Sequence, residues 1–251
     1  MLTPRRREFL VAADFQEVER LVVERLRAAP PDRLPARVLD AGAGRRLPFS
    51  PPYRAQVVGL DVSEAGLAEN RDLDERLVGD VETYPLPADA FDLVVCWNVL
   101  EHLRRPLAAV RNLAAALRPG GFLVVGVPSL ASPKTIVTKL SPHAFHVWVY
   151  RSVLGSPQAG LPGHAPFPTY LRTSLLPARF RRALGRLGLS VEAEIRYPSG
   201  MVAAIVDRRP AFRRAWRVAE APWRLLRADP TLSDIVWVVR KPRGPATVSR
   251  S

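Results

Sequence analysis

The sequence predicts an α/β fold, a doubly wound and mostly parallel sheet. Three observations predict it. Short apolar runs alternate with segments of helical periodicity through the first half of the chain. The first run, residues 38–41, passes directly into the glycine turn Gly42-Ala43-Gly44. The second, residues 57–60, ends in an acid, Asp61. A strand, a glycine turn and an acid at the tip of the next strand is how an α/β sheet holds a nucleoside. The glycines admit the ligand close to the backbone, and the acid accepts hydrogen bonds from ribose hydroxyls.

Residues 8–28 read as one amphipathic helix with Phe9, Val11, Phe15, Val18, Val22 and Leu26 on one face, and Pro30-Pro31 ends it. Residues 38–41 are the first strand. Residues 45–52 hold three prolines, each of which removes a donor and clashes with the preceding turn, so the helix expected after the glycine turn is short or missing. Residues 56–60 are the second strand, and Ser63 caps a helix over 64–70. Leu77-Val78 leads through a short third strand to Asp80. Residues 91–96 (FDLVVC) suit a central buried strand. Pro106 opens a helix to Leu117, Arg118-Pro119-Gly120-Gly121 turns the chain, and 122–127 form a fifth strand.

From 128 to 173 regular periodicity is lost to Pro, Gly, His and aromatic residues, as in a lid or binding loop. Helix returns over 174–187, strand over 189–195 and 234–239, with a basic helix over 210–227 between those strands. Residues 242–251 read as a tail. A single domain over 1–241 is expected, with its cofactor-binding core at 36–128, the insertion at 128–173 and C-terminal helices and strands over 174–241.

Composition narrows the class. The chain has 251 residues, 47% hydrophobic and 24% charged, as in an ordinary globular protein. One cysteine, Cys96, excludes an internal disulfide framework, and no apolar run is long enough for a signal core or a membrane span. A cytoplasmic protein is expected, with the option of peripheral attachment at the inner membrane face. The net charge of +13 invites nucleic acid, but only three of the 37 basic residues are lysines, and that arginine excess reads as coding bias. No nucleic-acid partner is expected.

Two cofactor classes use the strand–glycine–acid arrangement, nicotinamide dinucleotides and S-adenosylmethionine. A dinucleotide site wants a third glycine three residues after Gly44, where Leu47 stands. Three further motifs follow in order: Gly79-Asp80, the run FDLVVCWNVLEHL over 91–103, and LRPGGFLVV over 117–125. Together with residues 38–44 they make the chain resemble the class I S-adenosylmethionine-dependent methyltransferases, in particular the type 11 small-molecule group. The resemblance covers about residues 36–128. It implies a Rossmann-like methyltransferase fold whose seven-stranded sheet has an antiparallel last strand, here 234–239.

The resemblance also implies roles. Gly42 and Gly44 would pass close to the amino-acid part of S-adenosylmethionine, with Asp40 supporting the turn. Asp61 would take the ribose hydroxyls, with Val62 beside the adenine. Asp80 would face the adenine amino group, the Val81 backbone a ring nitrogen, and Asn98 the methionine end. Each acid also has a plainer reading as a turn or surface residue. Arg46 stands where the family often has a further glycine, so Arg45 or Arg46 would either pair with the carboxylate tail or be solvated.

The expected reaction is methyl transfer to an oxygen or nitrogen nucleophile of a small, lipid- or sugar-like metabolite. Alternatives are an RNA methyltransferase and a cofactor-binding module without turnover. A hydroxyl acceptor would profit from a base near neutral pKa. His102 reads either as that base or as a packing residue bonded to Glu101. If the stretch around them is helical, His143 and His146 share a face with Tyr150 and either roof an acceptor pocket or cap the core. His164 reads as a loop residue. No metal site is expected, for want of a completing carboxylate or cysteine. The basic helix over 210–227, with Trp216 and Trp223, has three readings: contact with an anionic membrane, a cradle for a phosphate- or lipid-bearing acceptor, or a solvated arginine face with its tryptophans turned inward.

Overall fold

The computed structural model describes residues 8–161, 165–170, 172–208 and 210–244. A short strand β1 (Glu8–Val11) precedes helix α1 (Phe15–Arg27). Then come β2 (Ala36–Ala41), β3 (Ala55–Asp61), α2 (Glu64–Glu69), β4 (Glu75–Val78), β5 (Phe91–Trp97), α3 (Pro106–Ala116) and β6 (Leu117–Pro128). Two helices, α4 (Pro133–Leu140) and α5 (His143–Ser152), fill the insertion. The chain continues through α6 (Pro177–Arg186), β7 (Ser190–Tyr197), α7 (Gly200–Arg208), α8 (Pro210–Leu225) and β8 (Asp234–Arg240).

One sheet runs in the order β1-β7-β8-β6-β5-β2-β3-β4. All neighbours are parallel except β8, which is antiparallel to both β6 and β7. Alternate residues of each central strand enter opposite cores. Leu39, Val94, Cys96, Leu123, Val125 and Trp237 pack against α3 and α6 on one face. Val38, Leu93, Val95, Val124 and Val236 pack against α1 and α2 on the other. Continuous apolar strands covered on both faces are what a parallel sheet requires, because side chains alternate from face to face.

Two expectations change. Residues 8–11 are not the start of a helix but an edge strand, pairing Glu8–Val11 with Ala193–Arg196 of β7. Asp14 stops the helix from extending back, because its carboxylate accepts from the Glu17 N–H and sets the first turn at Phe15. Apolar residues at 9, 11 and 12 fit either period over so short a stretch, and the free edge of β7 decides. The sheet therefore has eight strands rather than seven. Second, the insertion is helical. Ser132 caps α4 by accepting from the Thr135 N–H, with Pro133 in the first helical position. Helix α7 occupies residues that carried no sequence expectation. As the prolines dictate, the turn between β2 and β3 contains no helix.

Candidate active site

The order of the sheet reverses between β2 and β5. From there β3 and β4 follow one way and β6 the other, which opens a crevice at the carboxyl ends of the strands. The glycine turn leaves the end of β2 into that crevice. Gly42 sits at φ +80° and Gly44 at φ +48°. A Cβ on Gly42 would strike the Val99 side chain, whereas a Cβ on Gly44 would meet no atom within 4 Å. The turn is fastened from the next strand. The Gly44 N–H donates to Asp61 Oδ2 at 3.0 Å, the Ser63 N–H to Asp61 Oδ1 at 2.8 Å, and buried Asn70 Nδ2 to the Ala43 carbonyl at 3.1 Å. Asn70 is a turn-shaping residue that sequence reasoning missed; its signal, a polar residue ending a short helix, is too common to single out.

The other expected cofactor residues lie along the same edge. Val62 is 72% exposed just past β3. Asp80 is exposed beyond β4, and Val81 is buried beneath it. Asn98 is exposed past β5 at φ +55°, its N–H donating to the Gly126 carbonyl at 2.8 Å. Asp40 is buried, and its Oδ2 finds no partner among the described residues. Burial foremost, then the charges of Asp61 and Asp72, push its carboxyl up to about 8. An orphaned buried acid oxygen, open space at Gly44 and exposed Val62, Asp80 and Asn98 fit a nucleoside carrying a cationic tail. Arg45 pairs with Glu69 at 2.6 Å.

Beside this edge lies a cavity of about 740 Å³, walled by α4, α5, α7 and α8 and by the end of β5. Its lining is mostly apolar, including Phe15, Trp97, Val149, Phe167, Ile205 and Trp216. Trp97 is held edge-on by Phe15 at 5.6 Å and by Phe49 at 6.2 Å. Asn98, just past the carboxyl end of β5, lines it too. Its polar groups include a charged cluster. Lys134 Nζ reaches both oxygens of Asp234 at 2.7 and 2.9 Å, and the buried Glu101 and Tyr197 lie close by. No sequence signal announces Lys134 and Asp234 as partners, because 100 residues separate them.

The histidines divide. His102 lines the cavity, and its Nδ1 lies 2.9 Å from the Pro168 carbonyl. A carbonyl only accepts, so Nδ1 carries the hydrogen and Nε2 keeps a lone pair. Burial lowers its pKa, partly offset by that carbonyl. His146 and Tyr150 also line the cavity. His146 Nε2 lies 2.6 Å from Ser141 Oγ, whose hydroxyl is 2.7 Å from the Val137 carbonyl, so the serine donates to the carbonyl and the imidazole donates to the serine. Burial, and secondarily His143, lowers the His146 pKa. His143 is exposed and donates from Nε2 to the Pro166 carbonyl at 3.0 Å, apart from the cavity wall. His164 lies outside the described residues. Cys96 is fully buried, and burial raises its thiol pKa. On α8, Trp216 lines the cavity and the Trp223 indole donates to the Ala131 carbonyl, so both tryptophans turn inward.

Among the described residues no group of three or more histidine, cysteine or acidic side chains is arranged to hold a metal ion. None of their helices is long and apolar enough to cross a membrane.

The sequence pattern of a family described as "Methyltransferase domain" matches residues 13–192. The ubiquinone biosynthesis O-methyltransferase of Hahella chejuensis is 30% identical over 141 residues, covering 49% of this chain and 58% of that protein. The 27-O-demethylrifamycin SV methyltransferase of Amycolatopsis mediterranei is 31% identical over 136 residues, covering 48% of this chain and 50% of that protein. The chain thus spans about half the length of the curated relatives it matches. Among solved structures, the cyclase SpnF superposes with a TM-score of 0.54 at 20% identity, covering 93% of this chain and 85% of that one. That likeness concerns architecture alone, since one fold hosts many chemistries.

Proposed function

The chain belongs to the methyltransferase-domain family, and from that premise we propose that it transfers the methyl group of S-adenosylmethionine to a hydroxyl of a small, largely apolar molecule. The single observation that carries this proposal is the apolar cavity beside the carboxyl ends of the strands, with Asn98 in its lining. S-adenosylmethionine bound in the crevice would supply an electrophilic methyl on a sulfonium.

The chain's own residues then do the following. Asp61, its carboxylate already oriented by two backbone N–H groups, takes the ribose hydroxyls on its remaining lone pairs. Val62 flanks the adenine, the Val81 backbone meets a ring nitrogen, and Asp80 accepts from the amino group. Asp40 faces the cationic tail beside Gly42 and Gly44. The apolar walls hold the acceptor in line with the methyl and keep water out, so positioning supplies much of the rate. His102, with a free lone pair on Nε2, passes the acceptor's proton outward. A lining of this kind supports a lipid-like or aromatic acceptor over a sugar-like one.

Asp61→Ala is the test. Calorimetric affinity for S-adenosylmethionine is expected to fall by about ten- to a hundredfold, the range of a charge-assisted hydrogen bond or two. Unchanged affinity in a folded variant removes the cofactor assignment.

Peripheral contact with an anionic membrane is part of the same proposal. Leu140, Phe145 and Trp148 of α4 and α5 expose 79%, 40% and 49% of their surface, and Arg214 and Arg217 are exposed on α8. Co-sedimentation with phosphatidylglycerol vesicles, reversed by salt, is the expected result. No sedimentation at low salt removes this part.

A further inference from the structure

One buried group in the cavity is left without a role by the residues around it. Glu101 is 3% exposed, lines the cavity, and its Oε2 has no hydrogen-bond partner among the described residues. Its Oε1 lies 3.8 Å from His102 Nε2, outside hydrogen-bond range, and that nitrogen carries no hydrogen to give. Lys134 is committed bidentately to Asp234, whose Oδ2 also accepts from Ser233 Oγ at 3.1 Å. A buried carboxyl oxygen without a donor costs free energy that a ligand's donor would recover. Because Lys134 already neutralises Asp234, the cluster suits an uncharged donor better than a cation.

We propose that Glu101 recognises a hydroxyl on an otherwise apolar acceptor and takes its proton during transfer. The acceptor's O–H bond breaks as the proton moves to the Glu101 carboxylate. The oxygen's electron pair forms the new bond to the methyl carbon. The carbon–sulfur bond breaks with its electrons kept by sulfur, so the sulfonium charge is lost as the proton is bound. Glu101 then releases the proton to solvent as the methylated product leaves the cavity. Burial, opposed by the residue's own backbone N–H and by Lys134 and slightly reinforced by Asp234, pushes the Glu101 carboxyl up to about 8, a proton affinity suited to a base near neutral pH. The proton's fate rests on the methyl-transfer proposal; recognition of the hydroxyl does not.

The probes are 4-octylphenol and its methyl ether, two bodies of like shape that differ in the donor. At about pH 9, wild-type protein is expected to bind the phenol about tenfold or more tightly than the ether by calorimetry, the scale of one hydrogen bond to a charged group. Glu101→Leu is expected to bind the two alike. Glu101→Gln, which keeps an acceptor oxygen and nearly the same shape, is expected to keep the preference. The wild-type preference is expected to strengthen between about pH 6 and pH 9 as the carboxyl ionises, while that of Glu101→Gln stays flat. Cys96 of β5, His102, Lys134 of α4, Tyr197 of β7 and Asp234 of β8 surround the carboxyl, and all of them remain in both variants. Equal binding of phenol and ether by wild type, or a pH trend surviving in Glu101→Gln, overturns the proposal. Preference for the phenol without any affinity for S-adenosylmethionine sinks the methyl-transfer proposal and leaves the recognition site standing.

Discussion

Alanine at Gly42 is expected to destabilise the fold by about 3 kcal/mol or more, while alanine at Gly44 costs about 1 kcal/mol and instead weakens S-adenosylmethionine binding by about a hundredfold. The two glycines are two residues apart and both lie at positive φ, so backbone strain is common to both substitutions. What the new methyl meets separates them. At Gly42 it collides with Val99, a stiff β-branched side chain wedged against the core, with Val99 Cγ1 and Cβ also at 3.1 and 3.2 Å. At Gly44 nothing lies within 4 Å, because the turn faces the crevice assigned to the nucleoside. Thermal melting and calorimetry of both variants check this. Full cofactor affinity in a folded Gly44→Ala protein would mean that the cofactor does not approach this turn.

Asp40→Asn is expected to raise stability above that of the wild type around pH 8. The carboxyl is pushed up to about 8 when folded, against 3.8 for the ordinary group. Below the lower value both folded and unfolded chains are protonated and nothing is lost. Between the two values only the unfolded chain ionises, so stability falls as pH rises, at roughly 1.4 kcal/mol per pH unit. Above the folded value the loss levels off. Asparagine has the same shape and no charge to bury, so its denaturation midpoint is expected to lack that decline. Glu101, also raised to about 8, contributes a parallel decline that the Asp40 variant keeps. A cationic cofactor favours the ionised acid, so S-adenosylmethionine is expected to stabilise wild type more than Asp40→Asn at neutral pH. Identical pH profiles for the two proteins would show that Asp40 ionises normally in the fold.

Much of the crevice was legible in the primary structure because its parts are local. The glycine turn follows its strand directly, Asp61 terminates the next apolar run, and the prolines over 45–52 forbid a helix by covalent geometry. The edge strand β1 was not legible, since four residues carry too little periodicity to separate strand from helix and a distant edge supplied the hydrogen bonds. The insertion hid two short helices for a related reason. Their apolar faces are turned to a cavity and to solvent rather than to the sheet, so the usual stripe is broken.

The sequence by itself determined the alternation of strands and helices, the glycine turn and the acids along the carboxyl edge, for these depend on neighbours a few residues apart. Tertiary structure alone decided which polar groups meet inside the cavity. Lys134 and Asp234 are brought together from α4 and β8, and Glu101 is sealed beside them. Burial and proximity set the protonation of such groups, and both are properties of the folded chain rather than of any stretch within it.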